Sequence, residues 1–153
     1  MSIVKLNNRS VKDVTAFGSI SSLGSLTHIA TQTASSSSSI NFTSGIDSTY
    51  KEYIFYFVNM HPASQNPNFA FNLSIDSGSN YNVSKTTTYF RTQHGESGSG
   101  AELGYETGLD LANGTSIQKI SKEAGNDNDQ GVSGHFHLFN PSSTTYVKHW
   151  LSI

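Results

Sequence analysis

EYIFYFVNM, Glu52–Met60, is the strongest apolar run in the chain. Aromatic and β-branched residues dominate it, and these suit a pleated surface better than a helix. Asp47-Ser48 precedes it and His61-Pro62 follows, so the run is punctuated at both ends as a strand would be. Apolar side chains at consecutive rather than alternate positions predict a strand covered on both faces. The fold class then turns on whether the rest of the chain repeats the signal.

Working outward, it does. NFAFNLSID (68–76) alternates, with Phe69, Phe71, Leu73 and Ile75 on one face and Asn68, Ala70, Asn72 and Ser74 on the other. LTHIATQTA (26–34) alternates weakly, SINF (39–42) is short, and NVSKTTTYF (82–90) is Thr-rich and β-prone. Leu103, Tyr105, Leu109 and Leu111 continue the apolar theme, and SIQKIS (116–121) fits a strand or a single helical turn. HFHLF (135–139) is broken by Asn140-Pro141, and TTYVKHWLSI (144–153) is the last strand. Loop chemistry separates these segments: DSGSNYN (76–82), GESGSGAELG (95–104) and EAGNDNDQGVSG (123–134). About eight short strands predict an all-β chain, an antiparallel β-sandwich or jelly roll.

Composition agrees. Ser, Thr, Asn and Gly dominate, and only 13 % of residues are charged, half the usual share. Solubility from hydroxyls and amides suits β-rich surfaces and serves surface helices poorly. Net charge is −2, with no basic stripe, which argues against nucleic-acid binding. No apolar run approaches a membrane span, and there is no cysteine to form disulfides or do thiol chemistry. MSIVKLNNRSVKD at the start lacks the apolar centre of a signal peptide.

Residues 1–25 read differently from the rest. Single apolar residues stand in polar surroundings without a clear period, and Gly18, Ser19, Ser21, Ser22, Gly24 and Ser25 supply hinge chemistry. This predicts an extended arm and hinge (1–25) ahead of a β-sandwich domain (26–153), the alternative being a first strand or short helix packed on that domain. Some 20 extended residues reach roughly 65 Å, enough to cross a neighbouring subunit. Lys5, Leu6, Arg9, Val11, Lys12, Val14 and Phe17 are the candidate anchoring residues, and Lys5, Arg9 and Lys12 suit an acidic docking surface.

The histidines are the first candidates for chemistry. His135 and His137 are two apart and share one face of a strand. Their imidazoles suit a transition metal, but no local Cys, Asp or Glu completes a set. His149, His28, His61 or His94 would have to approach, or copies would have to bring the pairs together on a threefold axis. The reading within one chain is a solvated polar face, with no metal and no cofactor. GNDNDQG (125–131) places Asp127 and Asp129 as in a calcium loop, but Gly131 stands where a third ligand is needed and no Glu follows at the required distance. It reads as a hydrated turn.

Catalytic patterns are missing from the sequence. GESGSG lacks the Lys-Ser/Thr of a phosphate loop, and no G-x-S-x-G elbow occurs. Glu96, Glu102 and Glu106 lie in or near one loop and read as solvated carboxylates. Asn-x-Ser/Thr matches at Asn8, Asn41, Asn72, Asn82 and Asn113 are expected by chance in so Asn- and Ser-rich a chain. The Tyr and Phe residues are first of all core, although those beside turns suit sugar stacking or protein contact.

KLNNRSVKDVTAF, FTSGIDSTYKEYIFYFVNMHPA, DSGSNYNVSKTTTYF and HLFNPSSTTYVKHW together resemble virion structural proteins of marine tailed bacteriophages, of the kind infecting cyanobacteria and other ocean bacteria. The similarity runs along nearly the whole chain, but its motifs carry no chemistry. It implies a β-rich module of a tail or head fibre, an appendage or a capsid decoration, located in the virion and assembled in the host cytoplasm. Such proteins continue for several strands beyond the equivalent of KHWLSI. This chain would therefore be a short version or part of a longer product. Both faces of TTYVKHWLSI carry apolar residues, so a copy of the same protein or further strands would have to cover it.

The resulting expectation is a non-enzymatic virion module held through its arm by portal, tail or capsid proteins. It would be a homo-oligomer, with a trimer favoured. The alternative is a host-surface glycan- or protein-binding module. Its contact loops would carry His61, Asn66, His94, Glu96, Asn126, Asp127 and Asp129.

Overall fold

A computed structural model describes residues 26–153. The expected arm and hinge, with Lys5, Leu6, Arg9, Val11, Lys12, Val14 and Phe17, lie outside the described residues. The chain divides into Met1–Thr31 and Gln32–Ile153. In the first, His28 bonds the Thr31 hydroxyl at 2.8 Å, and Leu26 and Ile29 are exposed.

The second unit is all-β and antiparallel. Its strands are β1 (Glu52–Met60), β2 (Phe69–Phe71), β3 (Phe90–Gln93), β4 (Glu102–Tyr105), β5 (Gln118–Ser121), β6 (Val132–Phe139) and β7 (His149–Ser152). They form three small sheets, β1-β6-β7, β2-β5 and β3-β4. The only helical turn among the described residues is Thr107–Leu109. Of SIQKIS, Gln118–Ser121 is a strand, not the helical turn.

An aromatic seam joins the largest sheet to β2. Phe71 packs on Phe136 at 4.6 Å and on Trp150 at 4.9 Å, Phe57 meets Phe69 at 4.9 Å, and Phe42 meets Phe55 at 5.6 Å, ring centre to ring centre. Tilted and edge-on geometries of this kind suit the ring quadrupoles. Gly134 in β6 is required by close approach: a Cβ there would collide with the Ile153 carbonyl and lie 2.8 Å from the Phe57 ring. Even so, the buried apolar side chains among the described residues are only Tyr53, Phe136 and Leu138.

Polar groups hold the second layer. Gln118 is 1 % exposed; it accepts from the Thr87 hydroxyl at 2.6 Å and donates to the Leu109 and Lys119 carbonyls at 3.1 and 3.0 Å. Lys85 is buried with its ammonium on the Asn72 side-chain oxygen (2.6 Å) and the Val83 carbonyl (2.9 Å), and burial lowers its pKa.

Several segments differ from the sequence expectation. β1 is not covered on both faces: Tyr56 is 64 % and Val58 75 % exposed, because β2 packs on one side of the sheet only. LTHIATQTA and SINF form no strand; they are exposed almost throughout and bond locally, as in Gln32 to the Asn41 carbonyl. The 68–76 strand stops after Phe71, where the Asn72 side chain takes over, donating to the Tyr81 and Thr115 carbonyls and accepting from Leu73 N–H. Asp76 then ties a turn through Ser74 and Asn80, leaving Ile75 89 % exposed. Of NVSKTTTYF only a bridge at Lys85 and the start of β3 are β-structure. The last segment is a strand only over His149–Ser152, since the Ser143 hydroxyl caps the preceding turn at Thr145 and Tyr146 N–H.

Candidate functional site

The largest sheet has one face toward β2 and one on which no other described strand packs. Register assigns the side chains. Tyr53, Phe55 and Phe57 lie opposite Leu138, Phe136 and Gly134 on the inner face. Glu52, Ile54 and Tyr56 lie opposite Phe139, His137 and His135 on the outer face. There β7 adds His149 beside Phe139 and Leu151 beside His137, and Ile153 beside His135 extends the row. Alternation along three paired strands thus gathers Ile54, Tyr56, Val58, Phe139, Leu151 and Ile153 into one apolar patch threaded with three histidines.

Glu52 brings a carboxylate to this patch, its Oε1 2.5 Å from His137 Nδ1. The expected pairing of His135 and His137 on one face is present, with ring centres 4.9 Å apart. His135 also tilts toward Tyr56 at 6.2 Å, and His137 stacks against Phe139 at 6.0 Å. His149 sits opposite Phe139 rather than beside either imidazole. Among the described residues no three His, Cys, Asp or Glu side chains converge as metal ligands.

The expected contact loops come together only in part. Asn66 N–H donates to the Ala124 carbonyl (3.0 Å), Ala124 N–H to Pro67 (2.9 Å) and Asn126 N–H to the Gln65 side chain (2.9 Å). His61 Nε2 meets the Asp127 carbonyl at 3.0 Å. His61, Asn66, Asn126 and Asp127 thus form one composite loop surface, with Asp129 two residues beyond Asp127. Asn66 and Glu123 adopt positive φ (61° and 55°) to let the two loops meet. His94 and Glu96 lie in a separate turn closed by Gly95 and Ser99, and among the described residues no hydrogen bond ties them to the composite loop.

Sequence reasoning missed a charged cluster. The Arg91 guanidinium binds Glu102 Oε2 at 2.7 Å and Glu106 Oε1 at 2.8 Å, and Lys122 approaches Glu106 at 3.9 Å. It borders a cleft of about 400 Å³ that Phe57 and Tyr89 also line. Burial pushes the Tyr89 phenol above its ordinary pKa. Glu102 and Glu106 are therefore ion-paired rather than merely solvated. No sequence signal marked it: the β3-β4 register sets Arg91 opposite Gly104, two residues from Glu102 on the same face.

No family model, curated protein or solved structure matches the chain. The functional reading therefore rests on the geometry of the uncovered face. Among the described residues no helix is long and apolar enough to cross a membrane.

Proposed function

We propose that the chain is a non-enzymatic structural module of a phage virion, a β-sandwich unit of a tail or head fibre or appendage that works as a homo-oligomer. The uncovered face of β1-β6-β7 carries this reading. Tyr56, Val58, Leu151 and Ile153 are each more than half exposed and Phe139 is 36 % exposed, the kind of exposed apolar group that marks a contact surface. The small apolar core points the same way: surface left unburied within one copy is available to another. The likeness to virion proteins, the hydroxyl-rich surface and the scarcity of charge support the particle as the setting. Residues 1–25 serve in this reading as the anchor, through Lys5, Arg9 and Lys12.

The test is molecular mass by sedimentation at micromolar concentration. The wild type is expected as an oligomer and Tyr56→Glu/Leu151→Glu as a folded monomer with unchanged circular dichroism. A wild type that is monodisperse and monomeric refutes the reading. For the anchor, deletion of 1–20 should abolish incorporation into particles, and normal incorporation would refute that part.

The composite loop of His61, Asn66, Asn126 and Asp127 favours a second reading, contact with a host-surface glycan or protein. It predicts that the purified chain binds host cells and that Asn126→Ala/His61→Ala weakens this binding without changing the mass.

A further inference from the structure

Basic residues are few in this chain and unevenly placed. Nine Lys and Arg occur, with Lys5, Arg9 and Lys12 outside the described residues. Of the others, Lys51 stands just before β1, and Lys85 is buried on Asn72 and Val83. Arg91 and Lys122 pair with Glu102, Glu106 and Glu123. Lys119 and Lys148 have no carboxylate partner among the described residues, and both line one cleft of about 510 Å³. No carboxylate lines that cleft. The acidic residues beyond Tyr105, which faces Phe90 across the β3-β4 hairpin, are committed elsewhere. Glu106 binds Arg91 and Lys122, and Asp110 Oδ2 accepts from the Tyr105 hydroxyl at 2.5 Å.

Backbone geometry adds hydrogen-bonding groups to the same cleft. His135 and Ile153 exchange both backbone bonds, at 2.9 and 3.0 Å, so the odd-numbered residues of β7 bond to β6. Trp150 and Ser152 therefore turn their N–H and C=O groups to the far side of β7, where no described strand pairs. Both line the cleft, as does Lys148 just before them. The Trp150 indole N–H finds no acceptor among the described residues and is not sealed from water. Thr88 and Phe90 also line the cleft, and Phe90 is 71 % exposed.

We propose that this cleft binds an acidic saccharide, its carboxylate or sulfate met by the Lys119 and Lys148 ammoniums and a sugar ring laid against Phe90. The site is distinct from the composite loop. It does not rest on the assembly reading, since Lys148, Trp150 and Ser152 belong to the inner face of the sheet and to its far edge rather than to the uncovered face.

Charge selects an anion: two ammoniums without a carboxylate make a positive site on a chain of net charge −2. Each ammonium is a compact charge with three donors, which suits carboxylate or sulfate oxygens. The other groups select a saccharide. Sugar hydroxyls donate to the carbonyls of the β7 edge and accept from its N–H groups, and the C–H face of a sugar ring covers an exposed aromatic ring; a bare inorganic anion uses neither. A volume of about 510 Å³ lies within the ~300–1,000 Å³ of small-molecule sites. A nucleic-acid strand needs a continuous basic track along its phosphates, and two lysines do not make one.

Trp150 is the chain's one tryptophan and lines the cleft, so its emission reports occupancy. The full chain is titrated with trigalacturonate, a sulfated galactose trisaccharide, neutral galactotriose and sodium sulfate. At least one acidic trisaccharide should bind saturably at millimolar concentration or below, about tenfold more tightly than galactotriose and more weakly as salt is raised. Lys119→Gln and Lys148→Gln should each weaken that binding about fivefold with unchanged circular dichroism. Phe90→Ala should weaken the trisaccharide about threefold and leave sulfate binding as it was. Failure of both acidic trisaccharides to bind, equal binding of galactotriose, or unchanged affinity in either lysine variant overturns the proposal. Sulfate binding as tightly as the trisaccharide, with no effect of Phe90→Ala, makes this an inorganic-anion site only and also overturns it. So does displacement of the trisaccharide by oligothymidylate at lower concentration.

Discussion

Replacing Gln118 with alanine tests whether the second layer is held by polar groups. The side chain is 1 % exposed and makes three hydrogen bonds, to Thr87, Leu109 and Lys119. Truncation leaves one hydroxyl and two carbonyls without these partners in a sealed position, at about 1 kcal/mol each or more. Losing the buried methylene adds about 1 kcal/mol. The expected loss is about 4 kcal/mol, a large share of the ~5–15 kcal/mol that holds a typical domain together. With a urea slope of about 2 kcal/mol per molar, the unfolding midpoint should fall by about 2 M at fixed protein concentration. Thr87→Val should cost about 2 kcal/mol, because the Leu111 N–H also bonds that hydroxyl, at 2.8 Å. The double variant should cost about 1 kcal/mol less than the sum, because the two residues share one bond. A Gln118→Ala loss under about 1 kcal/mol would mean that water reaches these groups, and the reasoning would fail.

Phe71→Ala should cost about 3 kcal/mol and shift the emission of Trp150, the chain's one tryptophan, since Phe71 fills the space between Phe136 and Trp150. Unchanged emission and midpoint would refute the seam. Gly134→Ala should cost about 2 kcal/mol by displacing Ile153 and Phe57, and hydrogen exchange at the His135 and Ile153 amides should quicken. The Asp76 carboxyl is lowered to about 2 by the Ser74 hydroxyl first and then by Asn80. A lowered folded-state pKa stabilises the turn above about pH 4 and is lost as pH falls through about 2; a carboxyl-carbon titration with its midpoint near 3.8 would refute this. If assembly contributes to stability, the melting temperature should rise with protein concentration, and a flat melting temperature over a hundredfold range would count against it.

Much of the fold was legible where the pattern was strong. β1 and the HFHLF portion of β6 were plain from apolar runs ended by Asn, His and Pro, and the two-residue spacing of His135 and His137 placed them on one face. The misses have a common cause. Alternation in 68–76 gives no hint that the Asn72 side chain will capture backbone carbonyls and end the strand. A run such as EYIFYF looks the same whether both faces are covered within one chain or one waits for a partner. The composite loop was half legible, since polar loop chemistry marks a surface while long-range contacts decide which loops meet. Arg91 with Glu102 and Glu106 was not legible until the hairpin register was known.

The core and the uncovered face point to the same conclusion. A chain that buries only three apolar side chains among its described residues has limited hydrophobic stabilisation to set against conformational entropy. Polar knots such as Gln118–Thr87 and the Asp76 turn specify geometry but add about 1 kcal/mol net per bond. The reserve of apolar surface lies outside, on Tyr56, Val58, Leu151 and Ile153, beside β1, whose far edge no described strand pairs. If a second copy covers that face, as proposed, its burial would supply hydrophobic stabilisation that the small core of one copy lacks.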